Sequence, residues 1–334
     1  MPAAIEEYRC TEVRPALAEL VGRERPLVLR GLVDRWPAVA WARESDTAFA
    51  RGLAALDNGT DVDTLLLPPE EDGCVGYSAD LSGFNYEHYR IPVTAVLQRL
   101  AHVRRQEAPP GIALQSAPIA DCLPGFLDAH RLPLLDPAIR PRLWIGNRVT
   151  TPAHFDEFHN IACVVCGRRR FTLFAPEQLP NLYIGPLDFA PTGAAISLAR
   201  LDRPDDPRFP RLKLALAEAL VAELEPGDAI YLPPMWWHHV ASLGRLNALV
   251  NYWWKPVPAH GVGAGTGLGA LMHAILAFKS LGPAERAAWR GLLDHYVFDA
   301  GDPVAHLPAA RRGMLGSMTP EQAAALREKI SRYL

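Results

Sequence analysis

Two short runs far apart in the chain, TPAHFDEFHN at residues 151–160 and LPPMWWHHV at residues 232–240, constrain this sequence more than any other feature. The first carries His154 and Asp156 separated by one residue; the second carries His238. On a β-strand, residues i and i+2 face the same way, so the His154 ring and the Asp156 carboxylate can converge on one ion from a single segment. Two neutral imidazoles and one carboxylate are what a facial-triad non-haem Fe(II) site requires. The third ligand must then come from a distant strand.

With 11 histidines in the chain, a His-x-Asp triplet arises about 0.6 times by chance, so alone it carries little weight. Its surroundings add to it. RLWIGN, just upstream, is apolar enough for a strand, and Thr151 and Pro152 mark the turn into the next. Downstream, Glu225-Pro226-Gly227-Asp228 makes a turn, AIYLPP reads as a buried strand, and His238 opens another apolar stretch.

The runs TPAHFDEFHN, PGDAIYLPPMWWHHV and NYWWKP together resemble the JmjC-type, cupin-like hydroxylases, nearest to the asparaginyl-hydroxylase branch that inhibits hypoxia-inducible factor. The resemblance extends from RPLVLRGLVDRWP to about Pro256, with three motifs in order. It implies a double-stranded β-helix, the jelly-roll form with both sheets antiparallel and flanking helices. It also implies Fe(II) held by His154, Asp156 and His238, with 2-oxoglutarate as cosubstrate and dioxygen at the remaining position. The far carboxylate of 2-oxoglutarate would be held by Arg169 and Thr151, while Asn160, Asn251 and Trp253 match further positions lining that pocket. The implied reaction releases succinate and CO2 and hydroxylates a substrate, directly or as a step of demethylation. Tyr86 in SGFNYEHY matches a position near the substrate; from the residue alone, an interface tyrosine is an equal reading.

Alternation singles out Arg169 among Arg168, Arg169 and Arg170. Gly167 permits a tight turn, and in RRRFTLF the residues Arg169, Phe171 and Leu173 share an apolar face. A guanidinium pointing inward is costly unless an anion meets it, and a dicarboxylate would do so bidentately. The alternative is an exposed arginine cluster on an edge strand. Two positions depart from the nearest branch: Arg169 replaces a lysine in a chain where four of 34 basic residues are Lys, and Ala113 replaces a tyrosine that helps hold the cosubstrate.

Other suggestive residues read structurally. Cys163 and Cys166 have CxxC spacing, but on a strand i and i+3 face opposite ways, which disfavours chelation or bridging. His239 would point away from its ligand neighbour, and the odd offset of His159 from Asp156 puts it on the other face. Trp236 and Trp237 read as core and pocket wall.

At 334 residues the chain accommodates a catalytic barrel with helical additions. The expected organisation is a mixed α/β segment over residues 1–110, the barrel over 111–256 and a helical segment over 257–334. Within the barrel, residues 185–212 are rich in Pro, Gly and Asp and long for a connection, as binding loops are. In the helical segment, Trp289, Leu292, Leu293 and Tyr296 recur at i, i+3, i+4 and i+7. Thr319-Pro320-Glu321-Gln322 starts a helix with a capping box and an N1 proline, and Leu326, Ile330 and Tyr333 follow on one side. These stripes must cover either the same subunit or a second copy, and the resemblance implies a homodimer.

Net charge of −3 gives no bulk attraction to nucleic acid or an anionic membrane. The N-terminal residues lack a signal pattern, no run reaches transmembrane length, and five irregularly spaced cysteines suit reduced thiols. A cytoplasmic protein is expected, with a protein or peptide substrate first and a small molecule or modified RNA as alternatives. The residues also admit a non-catalytic cupin that binds metal or carboxylate for structure or regulation, and a zinc or manganese cupin isomerase.

Overall fold

The computed structural model describes residues 3–10, 16–191, 193–255 and 267–332. They divide into two units, residues 1–254 and 255–334.

The first unit is built on strands β1 (Ala3–Ala4), β2 (Glu7–Arg9), β3 (Leu27–Arg30), β4 (Asp61–Leu67), β5 (Glu87–Pro92), β6 (Gly111–Pro118) and β7 (Arg142–Gly146). There follow β8 (Thr150–His154), β9 (His159–Cys166), β10 (Arg169–Phe174), β11 (Leu220–Leu224), β12 (Ala229–Leu232), β13 (Trp237–Ser242) and β14 (Asn247–Trp254). They form a five-stranded sheet, β1-β11-β10-β13-β8, and a nine-stranded sheet, β2-β3-β12-β9-β14-β7-β6-β4-β5. This is the cupin-like jelly-roll arrangement with flanking helices.

Why the sheets pack is visible in the alternation. On the small sheet Phe171, Leu173, Ala222 and Leu224 point inward; on the large sheet Ala162, Val164, Ile230, Leu232 and Leu249 do, and all nine belong to one buried cluster. The residues between them serve another purpose. Ile161, Cys163, Tyr231, Val250 and Tyr252 face outward into a second core, completed by residues of the helices Pro37–Glu44, Asp46–Ala54 and Val93–Val103. The large sheet is therefore buried on both faces, which explains why β9 is apolar almost throughout.

Two details depart from the sequence reading. The sheets are not wholly antiparallel: β1 runs parallel to β11, and β2 parallel to β3. Parallel pairing requires a crossover rather than a hairpin, and both pairs use strands delivered from the N-terminal segment. The β9–β14 pairing also shifts register between Ala248 and Leu249, leaving Val165 as an extra residue. That bulge undoes strict alternation, so Cys163 and Cys166 lie in the same apolar cluster. Both are free thiols, pushed up by burial, Cys166 to about 12.

The second unit contains helices Gly267–Phe278, Pro283–Leu293 and Pro320–Ser331. Thr319 and Gln322 form the reciprocal cap: the Thr319 hydroxyl accepts from the Gln322 N–H at 3.3 Å, and Gln322 Oε1 accepts from the Thr319 N–H at 2.9 Å. Trp289, Leu292 and Leu293 share a helix, but Tyr296 falls in a wider π turn at Asp294–Phe298, which breaks the 3.6-residue period. Pro256 and Tyr333 lie outside the described residues. Among the described residues, no helix is long and apolar enough to cross a membrane.

Candidate metal centre

Strand pairing brings the two histidines together. β8 and β13 are antiparallel neighbours in which His154 stands directly opposite His238, and their ring centroids are 4.1 Å apart. β8 ends at His154, so Asp156 lies just beyond the strand that was expected to carry both ligands. Its main chain is anchored from the other side, because the Asp156 carbonyl accepts the N–H of Met235 at 2.8 Å. Met235 holds this contact with φ at +68°, a left-handed conformation that costs a non-glycine residue about 1 kcal/mol or more. One donor atom from each of His154, Asp156 and His238 lies within 4.8 Å of the other two.

Both imidazoles are oriented for a cation. Nδ1 of His154 lies 2.9 Å from the Pro152 carbonyl, and Nδ1 of His238 lies 3.0 Å from the Trp236 carbonyl. A carbonyl can only accept, so each Nδ1 carries the proton and each Nε2 keeps its lone pair for a ligand bond. Desolvation, reinforced by the adjacent His238, pulls the His154 pKa well below its usual value, which favours the neutral ring. Nε2 of His238 lies 3.6 Å from Asp156 Oδ2. The same carboxylate oxygen accepts from the indole N–H of Trp253 at 3.0 Å. Two imidazoles with Nε2 free to bind and one oriented carboxylate suit a divalent first-row ion and leave coordination positions open.

The other sequence-derived residues fall around this centre to different degrees. Asn160, Asn251 and Trp253 occupy adjoining positions on the paired strands β9 and β14, where Asn160 stands opposite Trp253 and Asn251 opposite Ala162. Asn251 donates to Asn160 Oδ1 at 3.2 Å and accepts from the Trp144 indole at 2.7 Å. Trp144, which sequence reading did not single out, packs edge-on against Trp253 with centroids 5.9 Å apart. Trp144 stands opposite Leu249, two residues before Asn251, in a register that one sequence does not display. Thr151 lies opposite Val240, three residues before His154.

Arg169 is the most telling of these residues. It opens β10 beside Ser242 and Leu224, and it is buried to 9 % exposure. Its Nε has no hydrogen-bond partner, and desolvation pulls its pKa down to about 10. Its neighbour Arg170 instead faces outward and forms a fork with Glu223, at 2.9 and 2.6 Å. A buried guanidinium lacking its full complement of acceptors fits a site whose anion arrives as a ligand. Gly167, the turn residue before it, has φ at +67° as expected.

Tyr86 is half-buried; its hydroxyl donates to the Pro191 carbonyl at 2.5 Å and its ring stacks on Phe84. Ala113 lies in a small apolar cluster with Leu65, Leu67, Val75 and Val149. His159 faces the outer core, 2.8 Å from the Tyr231 hydroxyl and stacked on Trp254. Trp236 joins the inner cluster and Trp237 an outer one, packed edge-on against Phe155.

Comparison with known proteins agrees with this architecture. The sequence profile of the cupin-like domain family matches residues 14–260. Jumonji C domain-containing protein 5 of Drosophila melanogaster is 35% identical over 119 residues, covering 35% of this chain and 28% of that protein. Lysine-specific demethylase JMJ31 of Arabidopsis thaliana is 32% identical over 133 residues, covering 40% and 23%. tRNA wybutosine-synthesizing protein 5 of Gallus gallus is 32% identical over 106 residues, covering 32% and 30%. The chain thus spans less than a third of the length of each of these relatives.

Proposed function

The chain belongs to the cupin-like domain family, and from that premise we propose that it is an Fe(II)- and 2-oxoglutarate-dependent oxygenase of the JmjC kind, a hydroxylase acting on a protein side chain. Within the family we place it nearest the asparaginyl hydroxylase that inhibits hypoxia-inducible factor, on the strength of TPAHFDEFHN, PGDAIYLPPMWWHHV and NYWWKP. The observation that carries the reading is a pair. Three convergent donors, His154, Asp156 and His238, lie in the same barrel as a buried guanidinium with an unsatisfied Nε, Arg169.

The metal and cosubstrate, when bound, supply the oxidising chemistry: one oxygen atom of dioxygen goes to the substrate C–H bond, the other to succinate as 2-oxoglutarate loses CO2. The residues do the rest. His154 and His238 present Nε2 lone pairs because their Nδ1 protons are committed to backbone carbonyls. Trp253 holds one oxygen of Asp156, fixing the carboxylate's orientation. Arg169 would bind the far carboxylate of the cosubstrate with help from the Thr151 hydroxyl. The chain from Trp144 through Asn251 to Asn160 commits the Asn160 carbonyl oxygen as an acceptor and leaves its amide N–H groups to donate to a bound oxyanion. Tyr86 would approach the substrate. In this reading the protein works in the cytoplasm as a homodimer joined through its C-terminal helices.

Succinate formation from 2-oxoglutarate in air tests the reading without knowledge of the substrate. Purified protein with added Fe(II) should produce succinate slowly, and Asp156→Ala should not. A wild type that binds neither metal nor 2-oxoglutarate would overturn the assignment and favour a structural or regulatory cupin.

A further inference from the structure

The small sheet has a second face. Because β10 and β13 alternate, Arg169, Phe171, His238 and Val240 turn towards the barrel interior, while Arg170, Thr172, His239 and Ala241 turn away from it. Over that outer face lies a cavity of about 880 Å³, roofed by residues 71–85 and 196–209. It is separated from the metal centre by the thickness of the sheet.

The floor and walls of this cavity differ in kind. In the walls, each cation is already neutralised. Arg170 forms its fork with Glu223, Arg200 forms another with Asp202 at 3.0 and 2.7 Å, and Arg208 is held by Asp206 at 2.7 Å. Apolar groups, among them Val75, Leu198, Leu201 and Phe209, fill the space between. On the floor, Thr172 and His239 stand directly opposite each other across the β10–β13 pair. His239 Nδ1 is buried without a hydrogen-bond partner. A buried polar atom left unpaired costs about 1–3 kcal/mol, and cavities of roughly 300–1,000 Å³ with apolar walls and a few convergent polar groups are the usual form of small-molecule sites.

We propose that this outer cavity is a second binding site, for an uncharged molecule with an apolar body whose amide or hydroxyl head reaches Thr172 and His239. Lack of charge follows from the walls: a ligand carboxylate would meet no free guanidinium, and among the described wall carboxylates only Glu71 is without an ionic partner, its Oε2 already accepting from the Asn85 amide at 2.7 Å. The head group follows from the floor, where a hydroxyl and an imidazole together offer a donor and an acceptor a few ångströms apart. The site is independent of the proposed oxygenase activity.

Benzamide and its charged isosteres benzoate and benzamidine, each titrated into the full-length protein and followed by ligand-detected saturation-transfer NMR, test this directly. Benzamide should bind, with benzoate and benzamidine at least tenfold weaker. Thr172→Val, which preserves shape, should weaken benzamide about fivefold to tenfold, and His239→Phe should do so in a protein whose circular dichroism and melting match wild type. Asp156→Ala should leave benzamide binding intact, and saturating 2-oxoglutarate should not compete with it. Absence of benzamide binding, equal binding of all three probes, indifference to Thr172→Val, or competition by 2-oxoglutarate would each overturn the proposal.

Discussion

The indole N–H of Trp253 donates to Oδ2 of Asp156 at 3.0 Å, tying a residue near the end of β14 to the carboxylate of the triad. Both Asp156 oxygens would otherwise rotate freely about the side-chain bond, and only one orientation points a lone pair at the space between His154 and His238. Trp253→Phe keeps the ring and removes the donor. Metal affinity should fall about 10- to 100-fold, the usual cost of losing a group that orients a ligand. Anaerobic titration with Fe(II), or with Co(II) as a spectroscopic substitute, measures it; unchanged affinity would mean the bond does not orient the carboxylate.

Arg169 separates stability from binding. Without an anion, its buried guanidinium costs the fold free energy, since charge is removed from water without full compensation. Arg169→Met should therefore melt at a higher temperature than wild type in the absence of ligand. With metal present, 2-oxoglutarate at about 100 times its Kd should stabilise wild type by roughly 2.7 kcal/mol and the variant by almost nothing. Equal stabilisation of both proteins would remove Arg169 from the anion clamp.

His130 makes stability depend on pH. It is 2 % exposed, its Nδ1 donates to the Phe126 carbonyl at 2.6 Å, and its Nε2 accepts the Ala38 N–H at 2.9 Å at the start of the helix Pro37–Glu44. Desolvation lowers its pKa from 6.5. Above pH 6.5 the ring is neutral in both folded and unfolded chains, and its contribution is complete. As pH falls below 6.5 the unfolded chain takes up the proton first, so stability drops and continues to drop through the depressed folded value. Urea melts at pH 7.5 and 5.5 should show wild type losing more stability on acidification than His130→Gln. Parallel losses in the two proteins would assign the effect to other groups.

Gly167 combines a left-handed backbone with no room for a side chain. Its φ is +67°, and a Cβ there would sit 2.3 Å from the Leu246 carbonyl oxygen and 2.4 Å from Asn247 Oδ1. Asn247 is wholly buried and donates to the Asn147 and Gly244 carbonyls, so it cannot retreat cheaply. Gly167→Ala should destabilise the protein by about 2–4 kcal/mol, seen as a lower urea midpoint. Met235→Gly, at a φ of +68° on an exposed loop, should have the opposite sign. A neutral Gly167→Ala would mean the turn relaxes.

What the sequence made legible was whatever a short motif or a strict period encodes. His154 and Asp156 follow from spacing, His238 from the resemblance of the run around it, the inward turn of Arg169 from alternation, and the Thr319 cap from four consecutive residues. Register was not legible. The register that brings the Trp144 indole within reach of Asn251, the bulge at Val165 that puts Cys163 and Cys166 in one cluster, and the parallel edge strands all depend on which residues of distant segments stand opposite each other. Likewise, only strand pairing sets Thr172 and His239 side by side beneath a cavity.

The C-terminal unit exposes apolar side chains that a lone subunit gains nothing by presenting to water. Leu276 is 68 % exposed, and Trp289, Leu292 and Tyr296 each lie above 40 %. Trp289 also stacks on Phe278, 5.0 Å between centroids, so the helices Gly267–Phe278 and Pro283–Leu293 present a joint aromatic surface. A cluster of this kind is characteristic of the buried core of a homodimer interface, where aromatic anchors dominate. The full chain should therefore elute as a dimer at micromolar concentration in size-exclusion chromatography with light scattering. Trp289→Glu combined with Leu292→Glu should shift it to monomer, because two carboxylates per subunit would be stripped of water at the symmetric contact. The melting temperature of the monomeric variant should no longer depend on protein concentration, whereas that of wild type should rise with it. A wild type that is monomeric at every concentration would show that these side chains serve some surface other than a second copy.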